Sequence, residues 1–242
     1  MSLEIKPLKT KASKHQSPPA MEAIGIKHPF SMGVFGCSGS GKTVLTCSLL
    51  LNKNMFKKYF DFVYLLTPTG GADDSFQQLG LPKDQIITDN FIEELDKIIK
   101  EQEAEVESKG VDKANKVCVI FEDLTSLKKL MNSSQFLKAF VQNRHLNMSC
   151  IAVCHKYRAL NRTARMNCNH HIIFPATRSE MQIIADEMQT ANVTKQQFFD
   201  LMTYAWTPDK NNKKPFLWIN QKVEPVDRYR KNLTQIIRPA KK

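Results

Sequence analysis

The residues 36–43, Gly-Cys-Ser-Gly-Ser-Gly-Lys-Thr, set a lysine and a hydroxyl directly behind a glycine-rich turn. That pattern is suited to holding phosphate. A polyphosphate is a dense anion, and a backbone can wrap it only where its N–H groups turn inward with no side chain in the way. Gly36, Gly39 and Gly41 permit that turn, with Cys37, Ser38 and Ser40 at the positions between them. Lys42 is placed to reach the β- and γ-phosphates of a nucleoside triphosphate such as ATP, and Thr43 to ligate Mg²⁺. Apolar residues 31–36 lead in as a strand, and an apolar-periodic stretch to about Asn52 leads out as a helix whose N-terminus favours an anion. Val44, Leu45, Ser48 and Leu49 are expected on one face of it.

A second pattern supplies carboxylates. Glu122 and Asp123 follow an apolar run that begins at Val117. A phosphate-loop site needs an acid at a neighbouring strand end for the metal, and a hydrolase needs another to orient the attacking water. An Asn-Lys-x-Asp segment for reading guanine is absent from the sequence.

A third stretch ends an apolar run, 148–154, in His155, with Lys156, Arg158, Arg162 and Arg165 close behind. His155 is placed to sense a γ-phosphate, and the cations are candidates for DNA phosphates or for a neighbouring subunit's nucleotide. Cys154, His155, Cys168, His170 and His171 lack the paired spacing of a structural zinc site.

The elements that must position these groups alternate. Strands are expected at 61–68, 116–123, 148–155 and 170–175, besides the one entering the loop. A helix is expected to start at Asp89 or Asn90, bury Phe91, Ile92, Leu95, Ile98 and Ile99, and stop at Gly110. Further helices fall near 132–147, 177–190 and 194–203, and the two aromatic runs within 202–220 read as a hairpin. This alternation implies an α/β fold with a mainly parallel sheet flanked by helices. The strand–helix pair (61–107) between the phosphate loop and the acidic strand resembles the RecA-like branch of P-loop NTPases, where an inserted strand separates the two motifs. The expected division is a basic arm (1–25), an ATPase domain (26–207) and a basic C-terminal extension (208–242).

The net charge is +11, and most of it lies at the ends. Residues 1–30 hold five Lys against two Glu, and 208–242 hold seven Lys and three Arg against three acids. Basic ends around a nearly neutral middle point to a polyanionic partner, most simply nucleic acid. Apolar runs are too short to span a membrane, and the N-terminal lysines precede no apolar core of a secretory leader. The six scattered cysteines read as reduced thiols of a soluble intracellular protein.

With these residues in hand, the chain resembles the DNA-packaging ATPases of the FtsK/HerA superfamily, in the branch carried by poxviruses, giant viruses and virophages. The resemblance rests on the lead-in and loop 28–43, the acidic strand 117–124, and above all the block 143–174, and it runs from about His28 to about Thr190, roughly two thirds of the chain. It implies a homo-oligomeric ring, pentamer or hexamer, that uses ATP and Mg²⁺ to drive double-stranded DNA into a preformed capsid, with capsid or portal-vertex partners. It implies a place in the virion or in viral factories of the host cytoplasm. It gives Glu122 the magnesium side and Asp123 the water, although this chain has Glu-Asp where the family usually has Asp-Asp or Asp-Glu. His155 stands where glutamine is usual, and Asn161 where proline is frequent. Arg144 is the implied arginine finger, with Arg162 and Arg165 as rivals. A plasmid or cellular DNA-processing motor, a small-molecule kinase with an arginine-rich lid at 156–165, and a nucleotide-binding scaffold with weak turnover remain the alternatives.

Overall fold

The strands that carry the site are mostly apolar and buried almost throughout, as a sheet covered on both faces requires. In a computed structural model of the chain, the described residues are 16–69, 74–123, 127–190, 193–210 and 212–240. Chain order gives α1 (Pro19–Ile24), β1 (Ser31–Phe35), α2 (Lys42–Leu51), β2 (Phe62–Leu66), α3 (Asp74–Gln77), β3 (Ile86–Ile87) and α4 (Phe91–Lys109). Then follow β4 (Val117–Glu122), α5 (Lys128–Met131), α6 (Ser134–Val141), β5 (Met148–Cys154), α7 (Arg162–Met166) and β6 (His170–Ile173). The chain continues through α8 (Arg178–Met188), α9 (Lys195–Ala205), β7 (Leu217–Asn220), β8 (Tyr229–Lys231) and β9 (Gln235–Ile236).

These strands form one sheet in the order β3-β2-β4-β5-β1-β6-β7-β8-β9. Pairing is parallel from β3 through β6 and antiparallel from β6 to β9. The strand lying between the phosphate-loop strand β1 and the acidic strand β4 is β5, not the β2 that intervenes in sequence. All seven residues of β5 are buried.

Alternation along the strands sends side chains to two cores. Met32, Val34, Cys118, Ile120, Ile151 and Val153 pack under α1, α2 and α3. Val119, Phe121, Cys150, Ala152 and Cys154 pack under α4, α6, α8 and α9. The helix over 91–109 buries Leu95, Ile98 and Ile99 as its period predicts, and Gly110 ends it.

Three expectations need correction. The two aromatic runs within 202–220 do not pair with each other. Tyr204 belongs to α9, whose buried Phe198, Leu201, Met202 and Ala205 follow the helical period, and the hairpin is made one element later by β7 and β8. The C-terminal extension carries the antiparallel strands β7, β8 and β9, which continue the central sheet. Of the arm expected over 1–25, residues 1–15 lie outside the described residues, while α1 is packed through Met21, which is 1% exposed. In α2 the buried apolar residues are Cys47, Leu49 and Leu50, and Val44 faces outward. All six cysteines are free. Among the described residues no helix is long and apolar enough to cross a membrane.

Candidate nucleotide site

The loop 36–41 links β1 to α2 at the C-terminal edge of the parallel strands. Gly41 sits at φ +108°, where a side chain is strained, and begins α2 as its N-cap. A Cβ on Gly36 would stand 2.7 Å from both Phe174 Cβ and Ser40 Oγ, so only glycine lets the loop pass there. Lys42 is buried, and its Nζ donates to Cys37 O at 2.9 Å. Burial lowers the pKa of this ammonium, and Cys37, Glu122, Cys154 and Asp123 pull it the other way. The Ser40 hydroxyl is buried and makes no hydrogen bond among the described residues. A loop whose lysine rests on a backbone carbonyl and whose hydroxyl is unsatisfied suits an incoming anion.

Across β5, the end of β4 brings its carboxylates toward the loop. Glu122 continues the alternation of Cys118 and Ile120 and so lies on the α2 face. Its Oε2 accepts from Thr67 Oγ1 at 2.8 Å, and Thr67 Oγ1 is also 2.8 Å from Thr69 Oγ1. Asp123, at φ +48°, turns the chain away from the strand, and its Oδ1 is 3.5 Å from His155 Nε2. The sequence reading missed Thr67, which follows β2 on the same face as Leu65. A cleft of about 490 Å³ opens beside the loop and is bordered by Gly36, Cys37, His155, Lys156, Phe174 and Glu180.

The donors suit a magnesium ion shared with phosphate. Among the described residues no group of three or more His, Cys, Asp or Glu side chains could hold a metal alone. Thr43, Glu122 and Asp123 supply a hydroxyl and carboxylates, the hard oxygen donors Mg²⁺ takes alongside substrate phosphates and water. His170 and His171 are wholly buried, and desolvation, chiefly, pushes their pKa values down to about 3 and about 4, so they are neutral core residues.

The basic residues divide. Lys156, Arg158 and Arg162 are exposed near this edge. Arg165 is not available as a finger or a DNA contact, which corrects that expectation. It is 4% exposed, and it pairs Nε and Nη2 with the two Glu187 oxygens at 2.8 Å, donates to Leu160 O, and lies over the Tyr157 ring. Arg144 is exposed and precedes β5, at the sheet edge opposite the loop. Sequence also gave no hint of Lys214, whose Nζ donates to Gly39 O at 2.7 Å. Only its folded position, 175 residues along the chain, brings it there.

A glycine loop between β1 and α2, with an acidic strand one strand removed in a parallel sheet, defines the P-loop NTPase class of RecA-like architecture. Within that class, the chain belongs to the Poxvirus A32 protein family, which its residues 22–228 match. It is 26% identical over 199 residues to DNA packaging protein OPG160 of vaccinia virus (strain Copenhagen), across 78% of this chain and 68% of that protein. The variola virus protein of the same name matches with the same identity and shares. Among solved structures, B204, the DNA-packaging ATPase of Sulfolobus turreted icosahedral virus, superposes with a TM-score of 0.59 at 12% identity, over 87% of this chain and 100% of that one. EssC (ATPases 2 and 3) from Geobacillus thermodenitrificans gives 0.56 at 14% identity, over 88% and 40%. The structural likenesses speak to the fold. The family match runs past Thr190, where the sequence resemblance stops, and takes in β7.

Proposed function

We propose that this chain is the ATP-hydrolysing subunit of a homo-oligomeric ring motor that moves double-stranded DNA into a preformed viral capsid. The observation that carries the reading is the pairing of an anion-ready loop with Glu122 and Asp123, both close enough to act on the Lys42 ammonium. Lys42 and the loop N–H groups bind the β- and γ-phosphates. Thr43 and Glu122 would hold Mg²⁺, which would supply screening of the phosphate charge. Asp123 orients and deprotonates the attacking water, and His155 beside it reports on the γ-phosphate. The family and the DNA packaging name of its relatives supply the cargo. DNA contact through Lys156, Arg158, Arg162 and the basic ends goes to phosphates, and is therefore salt-sensitive and blind to base sequence. Portal-vertex or capsid proteins are the further partners, and the virion or the viral factory is the place of action.

The test is ATP hydrolysis by the purified full chain with and without linear duplex DNA, alongside Lys42→Ala. We expect DNA to stimulate turnover and Lys42→Ala to abolish it. Turnover indifferent to DNA, with phosphoryl transfer to a small acceptor, would instead make the protein a kinase.

A further inference from the structure

Lys214 is remote from the phosphate loop in sequence and lies on it in space. It belongs to the segment between α9 and β7, and its Nζ donates to Gly39 O at 2.7 Å. Its stem crosses the loop, since a Cβ on Gly41 would stand 3.4 Å from Lys214 Cδ. Lys42 makes the equivalent contact from within the loop, Nζ on Cys37 O. Two ammonium groups are thus docked on carbonyls of the short turn whose N–H groups cradle phosphate.

The position of Lys214 is built by the hairpin. Asn212 Oδ1 accepts from Lys214 N at 2.9 Å, and Asn212 Nδ2 donates to Asn232 Oδ1 at 3.0 Å. Asn232 Oδ1 also accepts from Phe216 N at 3.2 Å, and Asn232 N donates to Phe216 O at 2.9 Å. Phe216 is buried with its ring 5.4 Å from that of Phe174, the residue that closes on Gly36. The two asparagines therefore fix Lys214 to the same rigid corner that shapes the loop. Its side chain stays exposed, and a phosphate oxygen is a stronger acceptor for an ammonium than a neutral carbonyl, because the bond is charge-assisted.

We propose that Lys214 is a second phosphate-binding residue of the nucleotide site, supplied in cis by the loop before β7. Its ammonium leaves the Gly39 carbonyl for the phosphates held by the loop. The inference rests on the nucleotide reading above and adds a ligand that the phosphate-loop motif does not contain.

The experiment is equilibrium titration of fluorescently labelled ADP and ATP onto the full-length wild type, Lys214→Ala and Lys214→Arg, with unliganded melting temperatures measured in parallel. Lys214→Ala is expected to weaken both nucleotides about tenfold, and Lys214→Arg to recover most of that loss. The unliganded melting temperature should not move, because the ammonium holds only an exposed loop carbonyl. Affinity of Lys214→Ala within about twofold of wild type overturns the inference. Tighter binding also overturns it, since the lysine would then be a plug. A wild type that binds neither nucleotide brings down the nucleotide reading itself, and this inference with it.

Discussion

At the scale of residues, the two carboxylates at the end of β4 have different surroundings and should have separable roles. Glu122 lies on the α2 face and is held by Thr67, whereas Asp123 has left the strand at φ +48° and faces His155. On the proposed function, the first arrangement would serve the metal together with Thr43, and the second would serve the attacking water. Glu122→Gln is therefore expected to erase the gain in ATP affinity that Mg²⁺ provides. Asp123→Asn should keep that gain and lose turnover by about 10²–10⁴-fold. Binding titrations with and without Mg²⁺, paired with single-turnover hydrolysis, separate the two, and the reverse pattern would exchange the roles. The type and order of these acids were legible in the sequence because a motif is local. Thr67 and Lys214 were not, because each reaches the site only through strand or hairpin placement.

At the scale of elements, the short helix α7 is tied to α8 by one arginine. Arg165 is buried, its fork fills both oxygens of Glu187, and its plane covers Tyr157. Cutting it to alanine leaves a largely buried carboxylate without its partner, at a cost of about 3–5 kcal/mol. We expect Arg165→Ala to melt at a clearly lower temperature, while the protein that remains folded binds nucleotide as wild type does. A normal melting temperature with failed hydrolysis would return Arg165 to the set of catalytic fingers. In sequence, Arg165 looks like its exposed neighbours Arg158 and Arg162, since charge alone does not say which way a helix turns. The same limit explains the displaced hairpin. Aromatic residues near Tyr204 fit a strand by type, but the spacing of Phe198, Leu201, Met202 and Ala205 is helical and buried. Five of the six parallel strands were legible because each is a mostly apolar run, whereas the two-residue β3 is too short to leave a pattern and the order of strands in the sheet depends on contacts distant in sequence.

At the scale of the whole molecule, Arg144 and the phosphate loop lie at opposite edges of one sheet. Arg144 precedes β5, and the loop follows β1, which runs parallel to β5. The seven residues of β5 alone span roughly 20 Å, well beyond the reach of an arginine side chain. If Arg144 acts on a phosphate, it must act on that of another subunit. Such an arrangement makes each site from two chains, so two different defects can complement each other. Lys42→Ala alone and Arg144→Ala alone should each hydrolyse ATP at a small fraction of the wild-type rate. In a ring mixed from both, some interfaces join the intact loop of the Arg144→Ala chain to the intact arginine of the Lys42→Ala chain. Mixing equal amounts, with subunit exchange allowed, should therefore restore about a quarter of wild-type turnover if interfaces form at random and fire independently, each site contributing its full finger effect. No recovery in rings shown to be mixed, or an Arg144→Ala protein that is active by itself, would assign the trans contact elsewhere, with exposed Arg162 the next residue to test.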